Sequence, residues 1–136
     1  NERSANVSQY TIGANGALAP MATATVAAGM LPFSVSVDPL GRFAYVANIG
    51  SNDVSQYAIG ADGALAPMAT ATVAAELFPL SITVDPSGKF AYVANYGSDN
   101  VSQYTIGANG ALAPMTAATV AAGTVPTSVT TAGSRQ

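Results

Sequence analysis

The feature that most constrains this chain is an internal repeat of 47 residues. The string VSQY begins three times, at Val7, Val54 and Val101. Residues 7–53 and 54–100 are identical at 34 of 47 positions, and a shorter third unit spans residues 101–136. Because a repeat of this length is one supersecondary unit that buries its faces against its neighbours, we predict a single domain over residues 1–136.

Each unit contains four apolar segments that are separated by turn residues. For one unit these segments are Pro32–Asp38, Phe43–Ala47, Val54–Ile59 and a stretch within Ala64–Ala75. Asp38-Pro39-Leu40-Gly41 predicts the first turn, and Asp62-Gly63 predicts a type I′ hairpin. Strict alternation of large and small residues in Pro32–Asp38 is typical of a strand. A helix is the alternative for Met21–Ala28, but the β-branched residues there favour a strand.

Four antiparallel strands in a unit of 40 to 50 residues are typical of a propeller blade. The predicted fold class is therefore all-β, with β-propeller blades and just under three repeats in the chain. A β-solenoid is the structural alternative, and its coils are usually much shorter than 47 residues. The chain is therefore expected to begin with two strands of a partial blade, to continue with two complete four-stranded blades and to end with one strand near Pro126–Thr130. These are eleven strands in total.

The composition fits sheets that are covered on both sides, since 49% of residues are apolar and only 8% are charged. Phe43 and Tyr45 are expected on one face of their strand, and Ala44 and Val46 on the other. Nucleic-acid binding is excluded because it needs clustered cations. The four cations are scattered, at Arg3, Arg42, Lys89 and Arg135.

The chain has neither Cys nor His. The usual ligands of zinc, haem and iron–sulfur clusters are therefore absent, and we expect neither a metal nor a cofactor. No apolar run is long enough to span a membrane, and the polar start Asn1–Ser4 does not resemble a signal peptide. The low charge and the many small polar residues suggest a secreted or cell-surface protein.

Several strings resemble the YVTN-type repeat of the lactonase-like seven-bladed β-propellers. They are FAYVAN-x-GS, VSQY-x-IGA-x-GAL-x-PM and P-x-S-x-x-VDP-x-G, with YVAN at Tyr45–Asn48 and Tyr92–Asn95. The resemblance covers nearly the whole chain and implies a scaffold of propeller blades. Some members of the family hydrolyse 6-phosphogluconolactone, an activity expected to use His and Arg around the central channel.

Because His is absent and the copies are nearly interchangeable, we predict that the chain is not an enzyme. The preferred interpretation is a non-catalytic scaffold or binding protein. The alternatives are a lactonase-like hydrolase remnant and a carbohydrate-binding propeller module.

Two charged residues flank the first turn of each complete blade. All four are candidate ligand-binding or channel-facing groups: Asp38, Asp85, Arg42 and Lys89. The two carboxylates could bind a cation at the channel mouth, and the two cations could form a positive ring. Turn capping is the simpler interpretation of the Asp residues, and exposure to solvent is the simpler one of the cations.

A tyrosine recurs in the third strand, at Tyr10, Tyr57 and Tyr104. Packing between blades is the simpler role, and stacking on a sugar is the alternative. Asn6 and Asn100 each begin an Asn-Val-Ser sequon and are possible glycosylation sites in a glycosylating host.

Self-association follows from the number of repeats, since fewer than three blades cannot close a ring. We expect a homo-oligomer, most simply a dimer that closes a six-blade ring, with a larger ring or a filament as alternatives. A glycan is a possible further ligand.

Overall fold

The computed structural model describes residues 1–133, which form an all-β architecture. A single 3₁₀ turn, Glu2–Ser4, precedes the strands. The ten strands are β1 (Asn6–Ile12), β2 (Leu18–Ala27), β3 (Pro32–Val37), β4 (Phe43–Asn48), β5 (Asp53–Ile59), β6 (Leu65–Ala74), β7 (Pro79–Val84), β8 (Phe90–Asn95), β9 (Asn100–Ile106) and β10 (Leu112–Ala121).

The strands form three antiparallel sheets in sequence order. Strands β1 and β2 make a two-stranded half blade, while β3–β6 and β7–β10 each make a complete four-stranded blade. The predicted blade architecture is confirmed, and β2 and its equivalents are strands rather than helices. Pro67 lies on the outermost strand of its blade beside a register shift, as expected for a residue without an N–H donor.

Side chains of alternating size give each complete blade two different packing faces. Tyr45, Ala47 and Val54 pack towards the next blade. Ala44, Val46 and Tyr57 pack towards the preceding half blade. The core therefore lies between blades, which is why a blade needs few charged residues.

Two side-chain bonds are repeated at both blade-to-blade interfaces. Tyr57 and Tyr104 donate their hydroxyls to the carbonyls of Ala27 and Ala74, at 2.6 and 2.7 Å. The main-chain N–H groups of Leu65 and Leu112 donate to Gln9 and Gln56 of the preceding blade, at 2.6 and 2.7 Å. Each bond is displaced by 47 residues from its counterpart, so one interface design is used twice.

The hairpin between the third and fourth strands differs from the predicted type I′ turn. Gly63 has φ +83°, whereas Asp62 is not among the residues with positive φ. The N–H of Gly63 donates to the carbonyl of Gly60 at 2.9 Å, and Asp62 Oδ1 accepts from Ala64 N at 3.0 Å. The aspartate thus caps a turn that ends in a left-handed glycine, and this capping removes the need for positive φ at Asp62.

The eleventh strand that we expected near Pro126–Thr130 is not formed. The segment nevertheless lies beside β7, where Val129 N approaches Ser81 Oγ at 3.4 Å. Ile82 N approaches Ser34 Oγ in the same way, 3.3 Å apart, at the preceding interface. The segment occupies the inner-strand position but has no second strand of its own blade to complete a backbone ladder.

The repeat also extends back to the first residue. Asn1 donates its side-chain amide to Asn6 and Ser8, as Asn48 does to Asp53 and Ser55. Asn1 therefore takes the position of the last residue of a second strand, 47 residues before Asn48.

Candidate active site

The end of each inner strand carries an aspartate, and the two aspartates have different environments. Asp38 is only 3% exposed. Its carboxylate accepts from the N–H groups of Arg42 and Phe43, and Arg42 Nε lies 3.3 Å from Oδ2. Burial opposes the charged form, but these donors outweigh burial and hold the pKa of Asp38 below its ordinary value. Asp38 is fully engaged as a turn cap.

Asp85 occupies the equivalent turn and is only half-buried. Its carboxylate accepts from Lys89 N and Phe90 N, at 3.1 and 3.0 Å, and from the Ser87 hydroxyl at 2.6 Å. Burial raises the pKa of Asp85, but these hydrogen bonds lower it by more, so the net pKa is below its ordinary value. The group is an ionised carboxylate at neutral pH.

A cavity of about 410 Å³ opens beside Asp85. It is lined by Asp85, Pro86, Ser87, Ala132 and Gly133. This volume suits a small polar molecule, and Asp85 is the carboxylate at the inner-strand ends that such a molecule can reach.

Sequence reasoning named Asp85 but missed Ser87. The sequence signal that could have identified Ser87 is a difference between the repeats, because the position equivalent to Ser87 in the preceding blade is Leu40.

The two turns lie against each other. A Cβ placed on Gly88 would come within 3.4 Å of Pro39 Cδ. Arg42 and Lys89 follow these turns, so both cations lie at the Asp85 end of the inner strands. The Arg42 side chain is half-exposed and its guanidinium lies 5.1 Å from the centre of the Phe43 ring.

A second polar cluster lies at the other end of the inner strands and is mainly structural. Asn48 donates to Asp53 Oδ1 at 2.7 Å and to Ser55 Oγ at 2.9 Å, and Asn95 makes the equivalent pair of bonds. Both asparagines are fully buried, and the Oδ1 atom of each accepts no hydrogen bond. These carbonyl oxygens are suited to bound water. The sequence signal for this cluster was the asparagine that ends both FAYVAN strings.

Two of the three recurrent tyrosines, Tyr57 and Tyr104, lie between blades, and sugar stacking stays a prediction. Tyr57 and Tyr104 are buried and line two small cavities of about 210 and 170 Å³ whose lining residues are related by the 47-residue repeat. Tyr10 is half-exposed because no blade precedes it in the described chain.

Both sequon asparagines stand at the start of a strand and are half-buried. Asn6 Oδ1 accepts from Asn1, and Asn100 Oδ1 accepts from Asn95 at 2.8 Å. Glycosylation at either residue stays a prediction.

Within residues 1–133, no three side chains of the His, Cys, Asp or Glu type come together as a metal site would require. Over the same residues no helix is long and apolar enough to cross a membrane.

Comparison with known proteins identifies the fold family. The family model described as "Lactonase, 7-bladed beta-propeller" matches residues 1–126. The chain belongs to the lactonase family of seven-bladed β-propellers. The resemblance seen in the repeat strings is thereby confirmed. No curated protein matches the chain.

Solved structures related to this lactonase-family chain share its fold at low sequence identity. A Lactobacillus plantarum protein has TM-score 0.83 and 22% identity over 93% of this chain and 38% of its own. A proposed 6-phosphogluconolactonase from Bacteroides fragilis has TM-score 0.83 and 20% identity over 94% and 36%. The periplasmic gluconolactonase of Pseudomonas aeruginosa has TM-score 0.78 and 23% identity over 90% and 36%. The chain thus spans little more than a third of the length of these structures.

Our expectation that the chain is not an enzyme is contradicted by these comparisons. The family that matches residues 1–126 is described as a lactonase family, and two of the structural neighbours carry lactonase names. The reasoning gave too much weight to the absence of His. A carboxylate can also serve as a general base. The two copies of the turn are also not equivalent, because Asp85 lines the cavity of about 410 Å³ whereas Asp38 is buried.

Proposed function

We propose that this chain supplies blades and a catalytic carboxylate to a hydrolase that opens sugar lactones. The observation that carries the proposal is an ionised, reachable Asp85 beside a cavity of about 410 Å³ in a lactonase-family fold. Gluconolactone and its 6-phospho form are the substrates that the names of the structural neighbours suggest.

In the proposed reaction Asp85 acts as a general base. Its carboxylate takes a proton from a water molecule while the water oxygen bonds to the lactone carbonyl carbon. The tetrahedral intermediate then breaks the ring C–O bond, and the proton held by Asp85 passes to the departing ring oxygen. The product is the open hydroxy acid, and Asp85 is again ionised.

The charges around the site suit an anionic substrate. Arg42 and Lys89 lie at the same end of the inner strands as Asp85, so they favour a phosphate group on the sugar. We therefore expect the 6-phospho lactone to have the lower KM, and we expect added salt to raise that KM more than the KM for gluconolactone.

The test compares Asp85→Asn with a matched variant, Asp62→Asn. The amide that replaces the Asp85 carboxylate can still accept hydrogen bonds at Oδ1 but cannot remove a proton, so we expect kcat to fall about 100-fold. Asp62 caps the turn between β5 and β6 and lies outside the cavity, so D62N should keep the wild-type rate. Melting temperatures of both variants control for folding.

Two results would contradict the proposal. One is a wild-type rate no higher than spontaneous hydrolysis in the same buffer. The other is a D85N variant that remains folded and hydrolyses both lactones as fast as the wild type.

The pH dependence provides an independent check. Because the pKa of Asp85 is lowered from 3.8, the reactive carboxylate is fully present at neutral and mildly acidic pH. We expect kcat to stay level as the pH falls and to decline only below about pH 4. A decline centred at about pH 6.5, the ordinary range of a histidine, would contradict the assignment of Asp85 as the base.

A further inference from the structure

Each end of the described chain presents an open blade face. The leading face is the side of the half blade formed by Tyr10, Ile12 and Leu18. The trailing face is the outer side of the β7–β10 blade, formed by Phe90, Tyr92, Gln103 and Val120. Both carry apolar side chains that are largely exposed, among them Ile12, Leu18 and Val120.

Residues equivalent to the leading face are buried or partly buried at the internal interfaces. Tyr10 is 47% exposed, whereas Tyr57 and Tyr104 are 1% and 2% exposed. Leu18 is 63% exposed, and its equivalent Leu112 is 6% exposed. The sequence therefore specifies a surface that packs well wherever a preceding blade exists.

The trailing face carries the residues that such a surface packs against. Val73 is partly buried against the next blade, and Val120 is its equivalent. Tyr45 donates its hydroxyl to Gly110 of the next blade at 2.6 Å, and Tyr92 is the equivalent donor. Gln56 accepts from Leu112 N of the next blade at 2.7 Å, and Gln103 is the equivalent acceptor.

We infer that the occupant of each open face is a second copy of this chain, bound head to tail. The trailing face of one copy packs on the leading face of the other. A second copy supplies the complementary residues at the positions that the internal interfaces use. Three bonds would be reproduced between copies: Tyr10 hydroxyl to Ala121 carbonyl, Leu18 N–H to Gln103, and Tyr92 hydroxyl to Gly16 carbonyl.

The C-terminal segment adds a fourth contact to this interface. Val129 N approaches Ser81 Oγ, and Ile82 N approaches Ser34 Oγ, at equivalent positions of successive blades. The next equivalent pair is Val35 N of the second copy and Ser128 Oγ of the first. This pairing covers the exposed inner-strand residues Phe33, Val35 and Val37.

A head-to-tail interface is heterologous, and this property provides a sharp test. Leu18→Arg blocks the leading face alone, and Val120→Arg blocks the trailing face alone. Both side chains are exposed in a single chain, so both variants should fold. Ala61→Arg is the matched control, because Ala61 is exposed at the turn between β5 and β6, in the blade that has a neighbour on both sides within the chain.

The measurement is mass by light scattering after size exclusion, at micromolar concentration. We expect wild type and A61R at twice the 13.5 kDa chain mass, and L18R and V120R alone as monomers. An equimolar mixture of L18R and V120R should form a one-to-one heterodimer, because each variant retains the face that the other lacks.

Three results would overturn the inference. They are a monomeric wild type, an oligomer that neither L18R nor V120R disrupts, and a mixture in which the two monomers do not associate. Homodimers of one variant alone would show that a face pairs with itself, which also contradicts head-to-tail binding. The mass is measured without substrate, so this outcome is independent of whether the chain hydrolyses lactones.

Discussion

Tyrosine hydroxyls form the most specific contacts between blades. Tyr45, Tyr57 and Tyr104 are all buried, and each donates to a main-chain carbonyl of a neighbouring blade. A buried phenol combines a large apolar area with one directional bond. The ring packs the interface, and the hydroxyl fixes the distance between the blades.

Replacing Tyr45 with Phe tests one such bond. The variant keeps the ring but leaves the buried Gly110 carbonyl without the donor that lies 2.6 Å away. We expect the free energy of unfolding to fall by about 1 to 3 kcal/mol. Urea denaturation measures the change, and Tyr96→Phe is the control, because Tyr96 is exposed. Equal stability of Y45F and wild type would show that the bond contributes nothing.

The same tyrosines predict a loss of stability in alkali. Burial raises the pKa of Tyr45, Tyr57 and Tyr104 above 10.0, so the folded state favours the neutral phenol. The contribution is complete below pH 10 and is lost as the pH rises, since the unfolded chain then releases protons more readily.

Urea denaturation at about pH 8 and about pH 11 measures this effect. The decrease between the two pH values should be smaller in Tyr57→Phe than in wild type. A free energy of unfolding that is the same at both values would contradict the assignment of these tyrosines as buried phenols.

At the scale of the strand and turn, repeated sequence does not give repeated surroundings. Gly63 and Gly110 occupy the same turn of successive blades with φ of +83° and +84°. A Cβ on Gly63 would meet the flexible end of Met21 at 3.2 Å, whereas one on Gly110 would overlap the Phe43 ring.

Alanine substitutions at these two glycines should therefore differ. Gly63→Ala should lower the free energy of unfolding by about 1 to 2 kcal/mol because of the left-handed backbone. Gly110→Ala should lower it by a further ~1 to 3 kcal/mol, since Phe43 must also move. Thermal or urea denaturation of the two variants compares them directly, and equal losses would contradict the close packing of Gly110 against Phe43.

Most of the fold could be predicted at this scale, because period-2 alternation and regular turn residues specify strands locally. The strands of the β3–β6 blade began and ended within one residue of expectation where both ends had been predicted. The prediction of a type I′ turn at Asp62 was wrong, because the Asp62 side chain accepts a hydrogen bond from Ala64 N and this cap competes with the type I′ backbone conformation. The prediction of a strand at Pro126–Thr130 was wrong, because a strand needs a hydrogen-bonded partner strand and the local sequence does not show whether one is available.

The candidate site was predicted only in part. The sequence placed Asp38 and Asp85 at equivalent turns, and it gave no sign that one is buried and the other borders a cavity. That difference arises from tertiary contacts, since Ala132 and Gly133 line the cavity from the far end of the chain. Secretion or surface display stays a prediction of composition alone.

At the scale of the whole molecule, the repeat provides one interface that the described chain uses twice and leaves open at both ends. Exposed sheet faces of this size favour association. The chain covers only 36–38% of the three solved structures described above. A second copy would give each open face the partner that its residues specify.

The most direct measurement is hydrogen exchange at the Leu18 amide, followed by NMR. Leu65 N and Leu112 N each donate to a glutamine of the preceding blade. Within residues 1–133 no glutamine is placed to accept from Leu18 N, and Gln103 of a second copy would fill that position. If two copies form the same blade-to-blade interface between them, the Leu18 amide of the wild type should exchange as slowly as the amides of Leu65 and Leu112. In V120R, which cannot form this interface, the Leu18 amide should exchange rapidly. Rapid exchange at Leu18 in the wild type, with Leu65 and Leu112 still protected, would contradict the account.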